Sequence, residues 1–244
     1  MRQYDAAMKR TVGQLINGED DAWPLILDLV ATAVRTVEIL PVESSRGEAT
    51  LFATQITTRS PMGAIALRSA GILVDHGWLR ILGAGGDRIG DGLREWNALD
   101  GRAVLDPPLV GALMIGYDAL GGFFALNGGA WPGEPGLVHY FAPDTYNRQD
   151  FDVGYSGFLE FATTGDLDGF YGDQRWPGWE EEVAGLGPDE TISVYPFLGF
   201  ENTPIVERTR LPVPAREAWT FHWTMSDQIR DLPTGASLRF DFTK

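Results

Sequence analysis

Short apolar runs joined by glycine-rich turns are the feature that most restricts the folds open to this chain. Three of these runs follow one another at residues 109–117, 122–127 and 137–141. Parallel strands need a crossover connection of about a dozen residues or more, whereas antiparallel strands can be joined by a tight turn. The short glycine-rich connections therefore predict an antiparallel meander rather than a series of β–α–β units.

A β-hairpin is predicted before this meander. Residues 71–75 and 78–82 have the composition of two strands, and the sequence Asp75-His76-Gly77-Trp78 joins them. Gly77 suits such a turn because glycine adopts a positive φ at little cost. The hairpin would place His76 at its tip.

Further strands are predicted on both sides of the hairpin. Residues 49–57 and 64–67 are predicted as strands, and Ser60-Pro61-Met62-Gly63 is predicted as the turn between them. Residues 192–198 are predicted as another strand. Residues 238–242 are predicted as the last strand, because apolar side chains alternate along them.

Helical patterns flank the strands. Aspartates and a proline at residues 20–24 suit the first turn of a helix, which is predicted to end before residue 40. Helices are also predicted at residues 155–163, 179–184 and 215–230. Together these patterns predict an α+β fold, mainly an antiparallel meander flanked by helices, in a single domain of residues 1–244.

The formal net charge of −15 narrows the classes of partner. A chain this acidic repels the phosphate backbone of nucleic acids and the anionic surface of membranes, so neither is expected as a partner. The charge favours solubility, or else a basic protein partner that an acidic surface would attract and orient. The chain also has no cysteine, which excludes disulfides and thiolate chemistry.

Neither a membrane segment nor a cofactor motif is predicted. No apolar run approaches the ~20 residues of a membrane span, and the first residues lack the apolar core of a secretory signal, so we expect a cytoplasmic protein. The glycine-rich run after residue 82 resembles a dinucleotide fingerprint, but Arg88 stands where its third glycine belongs. Ser156 resembles the serine of a nucleophile elbow, but Phe158 stands at the glycine position, so Ser156 is predicted to cap a helix. We expect no metal and no cofactor, while a homo-oligomer stays possible.

Polar and aromatic residues in the predicted turns are the candidate site residues, because binding groups commonly lie in loops on a rigid scaffold. His76 is a candidate base, and Arg59 or Arg80 a candidate clamp for an anion. Internal ion pairs that tie loops together are the competing interpretation. The full candidate set is Arg59, Ser60, Asp75, His76, Trp78, Arg80, Asp118, Asn127, Asp144, Arg175 and Trp176.

Several segments resemble the bacterial domain-of-unknown-function family numbered 2625. The strongest is Gln55-Ile56-Thr57-Thr58-Arg59-Ser60-Pro61-Met62-Gly63-Ala64. The others are residues 75–83, 121–129, 140–145, 154–156, 170–171, 175–176 and 195–197. The chain departs from the family at Gly116-Tyr117-Asp118, where the family has two adjacent acidic residues and this chain has only Asp118. It also departs from the family at residues 147–149. The resemblance implies a shared fold and a shared set of unusual residues, but no reaction.

A second resemblance, to the SMI1/KNR4-like (SUKH) superfamily, covers the middle third of the chain. It rests on two predicted strands followed by Ser156-Gly157-Phe158-Leu159. Many bacterial members of that superfamily are immunity proteins. We therefore favour a non-catalytic binding protein for a basic protein partner, with an immunity-like role as one form of it. The alternative is a small-molecule-binding protein or an enzyme with a loop-built site around His76, Arg59 and Arg80.

Overall fold

Seven strands form one antiparallel sheet, and their order in the sheet is their order along the chain. The computed structural model describes residues 9–102, 105–199 and 203–230. The strands of the sheet are β1 (Val37–Leu40), β2 (Gly71–Val74), β3 (Leu79–Leu82), β4 (Ala112–Asp118), β5 (Phe123–Asn127), β6 (Val138–Phe141) and β7 (Arg148–Asp150). β8 (Glu190–Tyr195) and β9 (Thr209–Pro214) form a separate antiparallel pair.

Helices cover the sheet and connect its strands. In the described ranges they are α1 (Val12–Leu15), α2 (Trp23–Ala31), α3 (Ser44–Thr54), α4 (Pro61–Arg68), α5 (Leu93–Trp96), α6 (Tyr155–Thr164), α7 (Leu167–Tyr171), α8 (Trp179–Ala184) and α9 (Ala215–Ile229). Short 3-10 turns occur at Gly172–Gln174 and Ile205–Glu207. The predicted α+β class and the antiparallel meander are confirmed. None of these helices combines the length and the apolar character needed to cross a bilayer.

The two faces of the sheet pack against different helices. On one face, the strand register places Tyr117, Phe123 and Phe141 side by side, and Trp219 of α9 contacts the last two at 5.3 Å between ring centroids. On the opposite face, Phe124 contacts Phe158 of α6 at 4.9 Å. Alternation of side chains along each strand therefore sorts the aromatic residues into two layers.

The hairpin predicted around His76 is confirmed. Asp75, His76 and Gly77 all have left-handed φ values, of 55°, 59° and 88°. Such values cost free energy for aspartate and histidine, so neighbouring groups must hold the turn. Thr36 does so, because its carbonyl oxygen accepts from the amide of Asp75 at 2.7 Å and its hydroxyl from the amide of His76 at 2.8 Å.

Two predicted strands are wrong, because residues 49–57 and 64–67 lie largely in α3 and α4. The predicted turn is the start of α4, where the hydroxyl of Ser60 accepts from the amide of Gly63 at 3.1 Å and Pro61 takes the first helical position. The sequence of α4 has no alternation of buried and exposed positions with a helical period, because five consecutive residues, 62–66, are all buried. A short run that is apolar all round does not distinguish a buried helix from a strand.

Other boundaries also differ from the predictions. The first long helix ends at Ala31, and residues 37–40 form β1 instead of continuing it. Gly154, not Ser156, precedes the first turn of α6. The strand predicted at 192–198 is β8, which begins two residues earlier and ends at Tyr195. The strand predicted at 238–242 lies outside the described residues.

Candidate functional site

Arg175 links the hairpin turn to the segment around α7. Its Nη2 lies 2.5 Å from Oδ2 of Asp75, and its Nη1 lies 2.6 Å from Oδ1 of Asp168. The side chains of Arg175 and Asp75 are only 11% and 12% exposed, whereas that of Asp168 is 84% exposed. The inner ion pair is thus shielded from water, and the outer one is not.

Three aromatic rings surround the guanidinium of Arg175. Its carbon lies 4.3 Å from the ring centroid of Trp179, 4.9 Å from that of Trp78 and 5.5 Å from that of Tyr171. We call these four residues and Asp75 the Arg175 cluster. The candidate set contained Asp75, Trp78 and Arg175 but missed Tyr171 and Trp179. Their nearness in sequence to Arg175 is the signal that could have found them.

Trp176 belongs to a neighbouring layer. Its ring centroid lies 5.9 Å from that of Trp78, and its indole N–H donates to a carboxylate oxygen of Glu182 at 2.7 Å. Arg210 stacks on Trp176 at 4.6 Å and pairs with Glu182 at 3.2 Å. Trp176 is therefore held by groups of the protein itself.

His76 and Arg80 meet at a small cleft. They line a cavity of about 90 Å³ together with Arg88, and the ring of His76 contacts that of Trp179 at 5.9 Å. Arg80 is buried and donates from Nη1 to the carbonyl of Gly187 at 2.9 Å. The cleft is smaller than the roughly 300–1,000 Å³ that small-molecule sites usually occupy.

Arg59 and Ser60 lie at the start of α4. The guanidinium of Arg59 pairs with Asp20 at 2.8 Å, and both side chains are largely exposed. Ser60 caps the helix through the amide of Gly63. Arg59 is not among the residues that line the cleft beside His76. The structure therefore does not bring the two proposed anion clamps together.

Asp118 is fully buried at the end of β4. Its carboxylate accepts from the hydroxyl of Tyr140 at 2.7 Å and from the amides of Gly122 at 2.8 Å and Leu120 at 3.0 Å. Burial raises the pKa of Asp118, while the hydrogen bonds from Tyr140, Gly122 and Leu120 oppose that rise. This carboxylate thus fixes the turn between β4 and β5.

Asn127 organises the loop after β5. Its Oδ1 accepts from the amides of Gly129 at 2.9 Å and Trp131 at 3.3 Å, and its Nδ2 donates to the carbonyl of Trp131 at 3.2 Å. The side chain therefore positions Trp131 above the sheet.

Asp144 lines a cavity of about 550 Å³ together with Arg175 and Arg208. Both arginines already have acceptors from the protein. Arg175 serves the two aspartates described above, and Nη1 of Arg208 donates to the carbonyl of Phe197 at 2.7 Å. The cations of this cavity are therefore engaged in holding the chain together.

The three histidines occupy separate places. His76 is exposed at the hairpin turn, His139 is buried on β6, and His222 lies on α9. Burial lowers the pKa of His222 to about 4 and also lowers that of His139, so both imidazoles are neutral at pH 7. Within the described ranges, no group of three or more histidine, aspartate or glutamate side chains is arranged to hold a metal ion.

The segment that contains Arg175 is strongly acidic. Residues 166–182, which we call the acidic segment, carry six carboxylates and a single cation, Arg175. Five of the six acids are exposed. Asp173, Glu180 and Glu181 form no ion pair with any described residue. Since Arg175 points inward, the outer charge of the segment is negative.

Comparison with known proteins identifies relatives. A family model described as "Protein of unknown function DUF2625" matches residues 12–218. The "Putative uncharacterized protein YbfG" of Escherichia coli (strain K12) is 40% identical over 220 residues, which are 89% of this chain and 98% of the relative. An "Uncharacterized protein" of Haemophilus influenzae (strain ATCC 51907 / DSM 11121 / KW20 / Rd) is 32% identical over 190 residues, or 78% of this chain and 82% of the relative. No solved structure matches. These matches do not confirm the resemblance to the SMI1/KNR4-like superfamily.

Proposed function

We propose that this chain, which belongs to the DUF2625 family of proteins of unknown function, is a non-catalytic binding protein. In this proposal its acidic segment binds a basic protein. One observation carries the proposal. Arg175, the only cation of the acidic segment, is engaged by Asp75 and three aromatic rings, so the segment presents carboxylates outward. A partner with clustered lysines or arginines has the complementary charge.

The Arg175 cluster also gives the acidic segment a fixed shape. The guanidinium joins Asp75 of the hairpin turn to Trp179, the first residue of α8. A binding surface that is already ordered loses less conformational entropy on association. This favours recognition by a preformed surface, as in an immunity-like protein that meets a basic toxin in the cytoplasm.

The catalytic alternative has less support. The cleft that holds His76 is small, Arg80 is directed into the protein, and Arg59 pairs with Asp20 elsewhere. Arg80 and Arg59 thus have partners within the protein itself, which is typical of structural polar groups.

Capture from a lysate of the host, followed by native mass spectrometry, tests the proposal. The acidic-segment variant is Asp173→Asn/Glu180→Gln/Glu181→Gln. Its matched control is Glu19→Gln/Asp28→Asn/Glu48→Gln, which removes the same charge from exposed acids near α2 and α3. Capture is compared at about 50 mM and about 500 mM salt, since screening over a Debye length weakens exposed charge pairs.

We expect a stoichiometric basic protein with wild type and control at low salt. The acidic-segment variant should bind it roughly 3–100-fold more weakly, as about 0.2–1 kcal/mol is lost at each exposed pair. The proposal fails if no basic protein is captured, or if both triple variants retain it equally.

A further inference from the structure

A cleft with aromatic walls lies between α9 and the strands β5 to β7. Its volume is about 280 Å³, and we call it the aromatic cleft. The residues that matter for its chemistry are Trp131, Phe141, Arg148, Trp219, His222 and Trp223. It contains no residue of the acidic segment or of the Arg175 cluster, so its role is independent of the proposed protein partner.

The walls of the aromatic cleft are rings in mutual contact. Phe141 lies at the centre, with ring centroids of Trp131 at 5.4 Å, Trp219 at 5.3 Å and Trp223 at 6.0 Å. Trp219 and Trp223 lie one helical turn apart on α9, with centroids 5.4 Å apart. Adjacent ring faces of this kind are suited to a planar guest, which can stack or meet them edge to face.

Arg148 supplies a positive charge at the edge of this cleft. It lies on the exposed edge strand β7, with its guanidinium carbon 5.1 Å from the ring centroid of Trp131. Its Nη1 is 2.9 Å from Nδ1 of His139. Burial lowers the pKa of His139, so this neighbour is neutral and accepts the hydrogen bond from Arg148.

The partners of Arg148 therefore leave its charge uncompensated. A neutral imidazole and an indole ring are its described contacts, and no carboxylate of the described ranges lies within ion-pair distance of it. Arg175, in contrast, pairs with two aspartates. An arginine that contacts a ring and a neutral histidine, and no carboxylate of the described ranges, can bind an external anion despite the negative charge of the chain as a whole.

A buried polar atom beside the cleft also lacks a partner. Nδ1 of His222 has no hydrogen bond to any described residue, and the ring of His222 lines the cleft. An unsatisfied buried nitrogen costs free energy and, because it is buried, adds no hydrogen-bonding group to the cleft. Ring stacking and the uncompensated charge of Arg148 define the chemistry of a guest.

We propose that the aromatic cleft binds a planar aromatic carboxylate of one or two rings. The rings of Trp131, Phe141 and Trp223 contact its plane, and Arg148 binds its carboxylate. The volume of about 280 Å³ limits the guest to this size. The two oxygens of a carboxylate match the fork of guanidinium donors, which a neutral ring does not.

Calorimetric titration of the full chain with indole-3-carboxylate tests this proposal. Indole keeps the ring without the charge, and cyclohexanecarboxylate keeps the charge without the planar ring. We expect one saturable site for indole-3-carboxylate, with binding at least roughly tenfold tighter than for either comparison compound. Equal binding of all three compounds, or no heat up to about 10 mM, overturns the proposal.

Two variants separate the contributions, and a third is the control. Arg148→Met keeps the apolar stem and should weaken binding roughly 10–100-fold. Trp223→Leu should weaken it by roughly threefold or more through loss of ring stacking. Arg88→Met removes an exposed arginine that pairs with Glu38 outside the cleft, and should leave binding unchanged. Unaltered affinity in Arg148→Met, or an equal loss in Arg88→Met, refutes the assignment of the anion site.

Discussion

Replacement of Arg175 by alanine should destabilise the protein more than replacement of any surface arginine. The change removes the cation that compensates Asp75, whose side chain is 12% exposed. It also removes the group that three rings surround. Asp75 has a left-handed φ of 55°, so the turn that carries it depends on such outside contacts.

The magnitude follows from the two ion pairs of Arg175. Removal of one partner from a buried pair costs about 3–5 kcal/mol, because the other charge is left buried and uncompensated. The pair with Asp168, an 84% exposed side chain, adds at most about 1 kcal/mol. Cation–π contacts overlap with the buried pair and are not added. We expect a loss of about 3–5 kcal/mol for Arg175→Ala and less than about 1 kcal/mol for Asp168→Asn.

Urea unfolding followed by tryptophan fluorescence measures these losses, and thermal melting checks them. For a chain of this size, each kcal/mol lowers the melting temperature by about 2–4 °C, so Arg175→Ala should melt about 6–20 °C below wild type. Arg59→Ala is the matched control, because the pair of Arg59 with Asp20 is 61% and 62% exposed. The reasoning is refuted if Arg175→Ala unfolds within about 1 kcal/mol of wild type, or if Arg59→Ala costs as much.

Two further predictions concern helix packing and pH. Gly47→Ala should lower the unfolding free energy measured in urea by about 1–3 kcal/mol, because the added Cβ would overlap the carbonyl oxygen of Leu67. The control Gly13→Ala should not lower it, since the space around Gly13 is open. Equal effects of the two changes would contradict the packing of α3 on α4. Burial raises the pKa of Asp189 from 3.8 to about 6, so its favourable contribution to stability is complete below pH 3.8 and is lost as pH rises through 6. Asp189→Asn should therefore remove about 1–2 kcal/mol of the pH dependence of the unfolding free energy across that window, after allowance for the partial exposure of Asp189. The control is Asp152→Asn, which should not change this pH dependence, because Asp152 is exposed and, like Asp189, has a positive φ. Parallel stability curves for wild type and Asp189→Asn would show that the carboxyl is not buried as described.

The strands β2 to β6 were predictable because their signals are local, whereas β1 and β7 were not predicted. Turn residues such as Gly77, and the short connections from β2 to β3 and from β4 to β6, favour pairing between neighbours along the chain. The helices α3 and α4 were not predictable by the same means. α4 buries five consecutive residues, and α3 approaches the carbonyl of Leu67 at Gly47, so tertiary packing rather than sequence period determines them.

Arginine function in this protein is set by contacts that sequence spacing does not reveal. Arg175 adjoins Trp176 in the chain, yet its guanidinium lies against Trp78 and Trp179, and Arg210 takes the place over Trp176. Asp75, which compensates Arg175, stands 100 residues away in sequence. Arg148 also has acids near it in sequence, at positions 144, 150 and 152, but on β7 its side chain contacts Trp131 and His139. The same residue type is thus a compensated internal link in one place and, among the described residues, a cation without a carboxylate partner in the other, which is what the proposed anion site requires.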